Sequence, residues 1–343
     1  MVVILSLFLS YIFCNFARVM VFDVARHRFS EGFLTLLLFA LIASVAIMVG
    51  GEVAPIEGAA PLRGFIDSLT VQYPVATAVA LFPMLVYAGL RLARSTVRVG
   101  IYSATSMGVM ALSAVSMLQC VVSTNYLYIA VVVLLVTGLI SRLLYCFGAK
   151  VRVDFLFTAM LSAGVMPLVD NALIPLSLVV SIIVIFLRAS LRETIVVLLG
   201  VSLPTLLYCY VLWLFGNDFG TTFLEVWNGG LVEQHQAVVA YLTIQRLIFL
   251  GVVLLLYICS VVFYFKARVT MLDHVRSIWT LLMVLQLLLV AMLILMPTAS
   301  EALVVAMIII MTVMLPQFFL SVDAPTATIA YIALMVSSLA TIY

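Results

Sequence analysis

Charge is the scarcest resource in this sequence. Only 9% of its 343 residues are Asp, Glu, Lys or Arg, while 66% are apolar. Soluble domains carry about 25% charged and roughly 45–50% apolar residues, so a water-soluble globule is excluded. Histidine is rarer still: His27, His235 and His274 all lie at the ends of apolar runs or between them. A transmembrane haem protein needs paired histidines within its spans and finds none here. The five cysteines (Cys14, Cys120, Cys146, Cys209, Cys259) lie in or beside apolar runs without C-x-x-C spacing. They read as small buried apolar residues, and neither a disulfide framework, a metal site nor a cofactor is implied. Heptads, solenoid repeats and low-complexity segments are also missing. No basic and aromatic cluster is set out for nucleic acid.

What remains is apolar sequence in long runs. A helix needs about 20 apolar residues to cross a hydrocarbon layer roughly 30 Å thick. Runs of that kind are expected at about 33–50, 73–90, 101–122, 126–145, 155–169, 172–187, 195–215, 247–265, 278–296, 302–320 and 326–342. The sequence therefore predicts an all-α, polytopic transmembrane helical bundle of about eleven spans (10–12), with residues 1–343 forming one membrane domain. Residues 1–30 read as a cytoplasmic or interfacial lead-in. Residues 1–19 either form a short extra helix or precede a natural start at Met20. Runs five and six are short and meet at Asp170-Asn171, the pattern of a helical hairpin.

The cations give the bundle a direction. Fourteen of the sixteen Lys and Arg fall in Arg18/Arg26/Arg28, Arg91/Arg94/Arg98, Arg142/Lys150/Arg152, Arg188/Arg192 and Lys266/Arg268/Arg276, always on the same side of the apolar runs. By the positive-inside rule that side is cytoplasmic, which leaves the C-terminus on the outer side. Arg142, the deepest charge, reads as an arginine snorkelling to the inner headgroups. Tyr73, Tyr126, Tyr128, Trp213, Trp227 and Trp279 read as interfacial anchors. Gln119 and Gln286 are expected to make interhelical hydrogen bonds.

Ionisable groups in a bilayer are costly and mark function. Most runs have none near their midpoints, which weakens the case for an ion-coupled transporter or proton pump. Two outer loops are long, 51–72 and 216–245, and each is expected to hold short interfacial helix. They carry Glu52, Glu57, Arg63, Asp67, Asp218, Glu225, Glu233 and His235, with Arg246 where run eight begins. Arg63 and Arg246 are the two cations on the wrong side of the bias. Either they pair with neighbouring carboxylates or they bind a lipid phosphate through bidentate contacts.

One stretch is familiar. Ala163-Gly-Val-Met-Pro, Leu187-Arg188 followed by Arg192-Glu193, then Leu198-Leu199-Gly200 and Pro204 resemble an uncharacterised family of multispanning bacterial inner-membrane proteins. More distantly, the chain is similar to C-type membrane glycosyltransferases, which use polyprenyl-phosphate sugars and carry a catalytic acid in the first outer loop. That resemblance implies Glu52, or else Asp67, as catalytic base, and Arg63 and Arg246 as lipid-phosphate ligands. The first loop is short for that superfamily and lacks its paired acidic motif. The partners implied are membrane lipids, a polyprenyl-phosphate-linked substrate and other membrane subunits, without nucleic acid. Three readings stay open: an envelope-biogenesis enzyme, a non-catalytic scaffold, subunit or lipid-handling protein, and a transporter.

Overall fold

A computed structural model describes residues 29–50, 60–102, 108–117, 126–147, 153–188, 190–232, 243–295 and 301–341. Helix dominates, and no strand occurs among the described residues. In chain order the helices are α1 (Phe29–Gly50), α2 (Arg63–Gln72), α3 (Pro74–Arg98), α4 (Gly108–Met117), α5 (Tyr126–Cys146), α6 (Val153–Val169), α7 (Ile174–Arg188), α8 (Leu191–Leu214) and α9 (Phe219–Val232). They continue with α10 (Ile244–Ala267), α11 (Asp273–Leu295), α12 (Glu301–Met314), α13 (Pro316–Ser321) and α14 (Ala324–Ala340). By length and composition seven helices can cross a membrane, and three shorter apolar ones, Val153–Val169, Asn171–Leu187 and Ala324–Ala340, accompany them.

The chain builds outward from α12. Every residue from Ala302 to Met314 is buried, so this helix is apolar all round because protein surrounds it. α4, α5, α10 and α11 pack on it, and α13 and α14 complete its lower end through α10. α5 is almost as enclosed, between α3, α6 and α12. The perimeter is apolar as well. α8 exposes Leu191, Leu198 and Leu214, and α10 exposes Ile244, Leu255 and Phe265. Apolar patches of that extent mark contact with lipid or another protein.

Two devices set the packing. α6 and α8 cross at Gly164 and Gly200, where the bare backbones touch. A methyl on Gly164 would land on the Val201 carbonyl, and one on Gly200 would stand 2.6 Å from Met160 Cβ. Small residues allow this approach between membrane helices. The second device is a break at Leu315-Pro316. Pro316 ends α12, and the Phe318 amide turns to the Leu315 carbonyl at 3.0 Å. The Met314 carbonyl is then satisfied by Ser260 Oγ at 2.5 Å, and the Val313 carbonyl by the Tyr102 hydroxyl at 2.9 Å. Side chains of neighbouring segments thus replace backbone donors that the kink removed.

Several side chains sit differently from expectation. Trp279 is buried and stacked on Tyr264 with centroids 4.6 Å apart, so it is a core residue and not an interfacial anchor. Tyr126 is buried too, its hydroxyl 2.7 Å from Thr77 Oγ1 and 3.1 Å from the Pro74 carbonyl. Tyr73 and Trp213 are exposed. Gln286 is buried but neither of its amide atoms has a hydrogen-bond partner, so the expected interhelical bond is not made. Gln119 lies outside the described residues. Cys146 and Cys209 are buried free thiols, and Cys259 is partly buried.

Candidate functional site

The alternating helices give the bundle two ends. Arg142 Nη1 donates to Thr158 Oγ1 at 3.0 Å, and His274 Nε2 meets the Val99 carbonyl at 3.2 Å, so the cation clusters of α3, α5 and α11 share one end. At the opposite end lie α2, the start of α5, the α6–α7 turn and the starts of α10 and α12.

There, four elements converge on Asp170. The turn after α6 is too short to carry this residue away from the packed hairpin, so its carboxylate is fully buried. Asp170 Oδ1 accepts the Ala172 amide at 3.0 Å, capping the 3₁₀ turn Asn171–Leu173 that leads into α7. Oδ2 accepts the hydroxyl of Tyr128 from the first turn of α5. Arg63, the first residue of α2, brings Nη1 to 4.0 Å from Oδ1, an ionic contact and not a hydrogen bond. Its guanidinium also lies 4.7 Å above the Tyr128 ring. The Leu62 amide donates to the Leu168 carbonyl at 2.9 Å and fastens the start of α2 to the end of α6. Glu301, opening α12, is close enough to act electrostatically on Tyr128.

Asp67 is one turn along α2 from Arg63. It is half-buried, and its Oδ1 is shielded from water without a hydrogen-bond partner. Burial raises its proton affinity above the ordinary aspartate value of 3.8, and the nearby Arg63 charge opposes that rise in part.

Of the four residues singled out in the sequence, Arg63 and Asp67 come together. Arg246 is buried near the start of α10, which packs on α12, α13 and α14, a different flank of the central helix. Its level matches Glu301, because Ser260 on α10 lies beside Met314 on α12 and the two helices run in the same direction. Glu52 lies outside the described residues, as do Glu57, Glu233 and His235. Among the described residues Arg63 pairs with Asp170 of the hairpin turn, and it is also close enough to Asp67 of its own loop to act on it electrostatically. The site roles of Asp170 and Tyr128 were missed: Asp170 read only as a hairpin turn, and Tyr128, expected as an interfacial anchor, is instead buried with its hydroxyl on the Asp170 carboxylate. The available signal was an ionisable residue in a two-residue turn between apolar runs, where no spare chain exists to expose it.

The segment 216–245 does contain helix, α9, with Asp218 Oδ2 accepting the Thr221 amide at 3.0 Å ahead of its first turn. Among the described residues no group of His, Cys, Asp and Glu is arranged to hold a metal ion. The bundle, its apolar perimeter and its charged ends define an all-helical chain with the make-up of a membrane protein. No family model, curated protein or solved structure matches it.

Proposed function

We propose that this chain is a multispanning protein of the bacterial inner membrane that acts on a polyprenyl-phosphate-linked sugar at the outer leaflet. Its architecture in this reading is like that of the C-type membrane glycosyltransferases. About eleven spans result when the seven long and three shorter apolar helices are joined by the run containing α4. The cation-rich end then faces the cytoplasm, and Asp67, Arg63 and Arg246 face the periplasm.

One observation supports the catalytic part: Asp67 has a water-shielded carboxylate oxygen outside any hydrogen bond, in surroundings that raise its proton affinity. Those are the properties of a general base. Asp67 takes the proton of an acceptor hydroxyl as that oxygen bonds to the sugar's anomeric carbon. The polyprenyl phosphate leaves with the electrons of the broken glycosyl bond, and Arg246 holds its charge. Arg63 is committed to Asp170 and positions α2. Glu52 remains the alternative base.

The test is sugar transfer in membranes supplied with a labelled polyprenyl-phosphate sugar. Asp67→Asn should lower transfer at least about 100-fold at unchanged protein level. Full transfer by both Asp67→Asn and Glu52→Gln overturns the enzyme reading.

The Arg63–Asp170–Tyr128 network favours a second reading, a non-catalytic scaffold or lipid-handling subunit. Ion pairing inside the protein is what such a component needs to hold its outer face in shape. In that case Asp67→Asn is silent, while Arg63→Gln lowers the amount of folded protein.

A further inference from the structure

We propose that a notch between α3, α5 and α6, near the cation-rich end, binds the phosphate of an anionic phospholipid headgroup through Arg91 and Arg142. This site is at the opposite end from Asp67 and independent of the reading above.

Each of the three helices contributes a pair of residues one turn apart: Tyr87 and Arg91 on α3, Gly138 and Arg142 on α5, Thr158 and Ser162 on α6. Arg142 Nη1 bonds Thr158 Oγ1 at 3.0 Å, so those residues share a level. One turn away, Gly138 faces Ser162 and Arg91. From the point where a Cβ on Gly138 would stand, Ser162 Oγ is 3.6 Å away and Arg91 Nη1 is 3.8 Å away. A methyl there has room, but a longer side chain would run into the space that the Arg91 guanidinium occupies. The two guanidiniums are therefore about 5 Å apart in depth, the pitch of one helical turn.

Their donors are largely unspent. A guanidinium carries five N–H groups in a fixed fork. Arg91 uses one bond, to the Tyr87 hydroxyl at 3.2 Å, and Arg142 uses one, to Thr158. Among the described residues neither arginine is within ion-pair distance of a carboxylate. Aromatic rings flank both: Arg91 Cζ is 5.8 Å from the Tyr87 centroid, and Arg142 Cζ is 5.6 Å from that of Phe155. Two half-buried cations in a hydroxyl-lined notch form a place for an anion, and forked donors one turn apart suit the oxygens of one phosphate.

Simple snorkelling does not account for Arg91. Helix side chains lean toward the helix N-terminus, which on α3 points away from the cation-rich end. The guanidinium follows that lean and stops against Gly138, deeper than Arg142. Arg91 is seven residues before the end of α3 at Arg98. That places it about 10 Å from the helix end, within reach of a headgroup phosphate. Basic pockets between spans on the cytoplasmic side are suited to anionic headgroups. Tyr87, largely exposed, forms the outer wall, so the notch opens on the apolar perimeter and a lipid enters sideways.

The purified full-length protein in detergent, titrated with phosphatidylglycerol, phosphatidylcholine or inorganic phosphate and read by native mass spectrometry, tests this. Phosphatidylglycerol should bind at least tenfold more tightly than phosphatidylcholine. Arg91→Gln with Arg142→Gln should erase that preference, and Arg94→Gln, an exposed control, should keep it. Because losing both arginines can cost the fold, Gly138→Leu provides a second reading. It retains every charge but fills the notch, and it should lose the preference too. The proposal is overturned if wild type does not discriminate between the lipids, or if Gly138→Leu discriminates as well as wild type. Displacement of phosphatidylglycerol by equimolar inorganic phosphate also overturns it and assigns the notch to a soluble anion.

Discussion

Asp170 joins three elements through one carboxylate: it caps the turn into α7, accepts from Tyr128 on α5 and faces Arg63 on α2. Asp170→Ala removes all three and leaves the Arg63 charge buried without its partner. Such a loss costs about 3–5 kcal/mol. Thermal unfolding in detergent should show it, and Asp170→Asn, which keeps the shape and acceptor, should lose less. Asp67 behaves in the opposite sense. Its proton affinity is raised in the fold, so folding favours the protonated form between 3.8 and the raised value. Stability contributed there is present at low pH and declines as pH rises through the raised value. Asp67→Asn should therefore stabilise the protein at neutral pH, with the gain shrinking on acidification. A melting curve that ignores both pH and the substitution would contradict the buried placement. If Asp67 is the base, transfer should rise with pH over the same window. None of the three partners of Asp170 was legible in the sequence. The two-residue turn signals only that Asp170 has little chain with which to reach water, and the folding of Arg63 and Tyr128 onto it makes it a core residue.

At the level of elements, two contacts carry the packing. Gly164→Ala and Gly200→Ala each press a methyl into the facing backbone of the α6–α8 crossing. Overpacking of this kind costs about 1–3 kcal/mol, so either variant should melt earlier than wild type. Gly138→Ala meets nothing closer than 3.6 Å and is the neutral comparison. The break at Leu315-Pro316 depends on borrowed donors, and Ser260→Ala should cost about 1 kcal/mol by leaving the Met314 carbonyl only the longer bond from the Tyr102 hydroxyl at 3.4 Å. The helical hairpin at Asp170-Asn171 and the helix within 216–245 were visible beforehand, because apolar run length and turn composition are local properties. The partner of each glycine was not, since close approach is decided by a residue on another helix.

For the whole molecule, the charge asymmetry makes a topological prediction. Single cysteines placed at Asp218 and Arg268, in a background lacking the native cysteines, should react with an impermeant thiol reagent from opposite sides. Asp218 should label in intact cells and Arg268 only after lysis, and the reverse order would invert the proposed orientation. The sequence by itself determined that the chain is helical, apolar on its perimeter and polar at its ends. Those features follow from run length and the cost of charge in hydrocarbon, both summed along the chain. Tertiary structure alone decided that α12 is enclosed by protein, that Arg63 answers Asp170, and that Arg91 and Arg142 share a notch. Hydropathy treats lipid and packed side chains as the same apolar surroundings, so burial in protein becomes visible only when the helices are assembled.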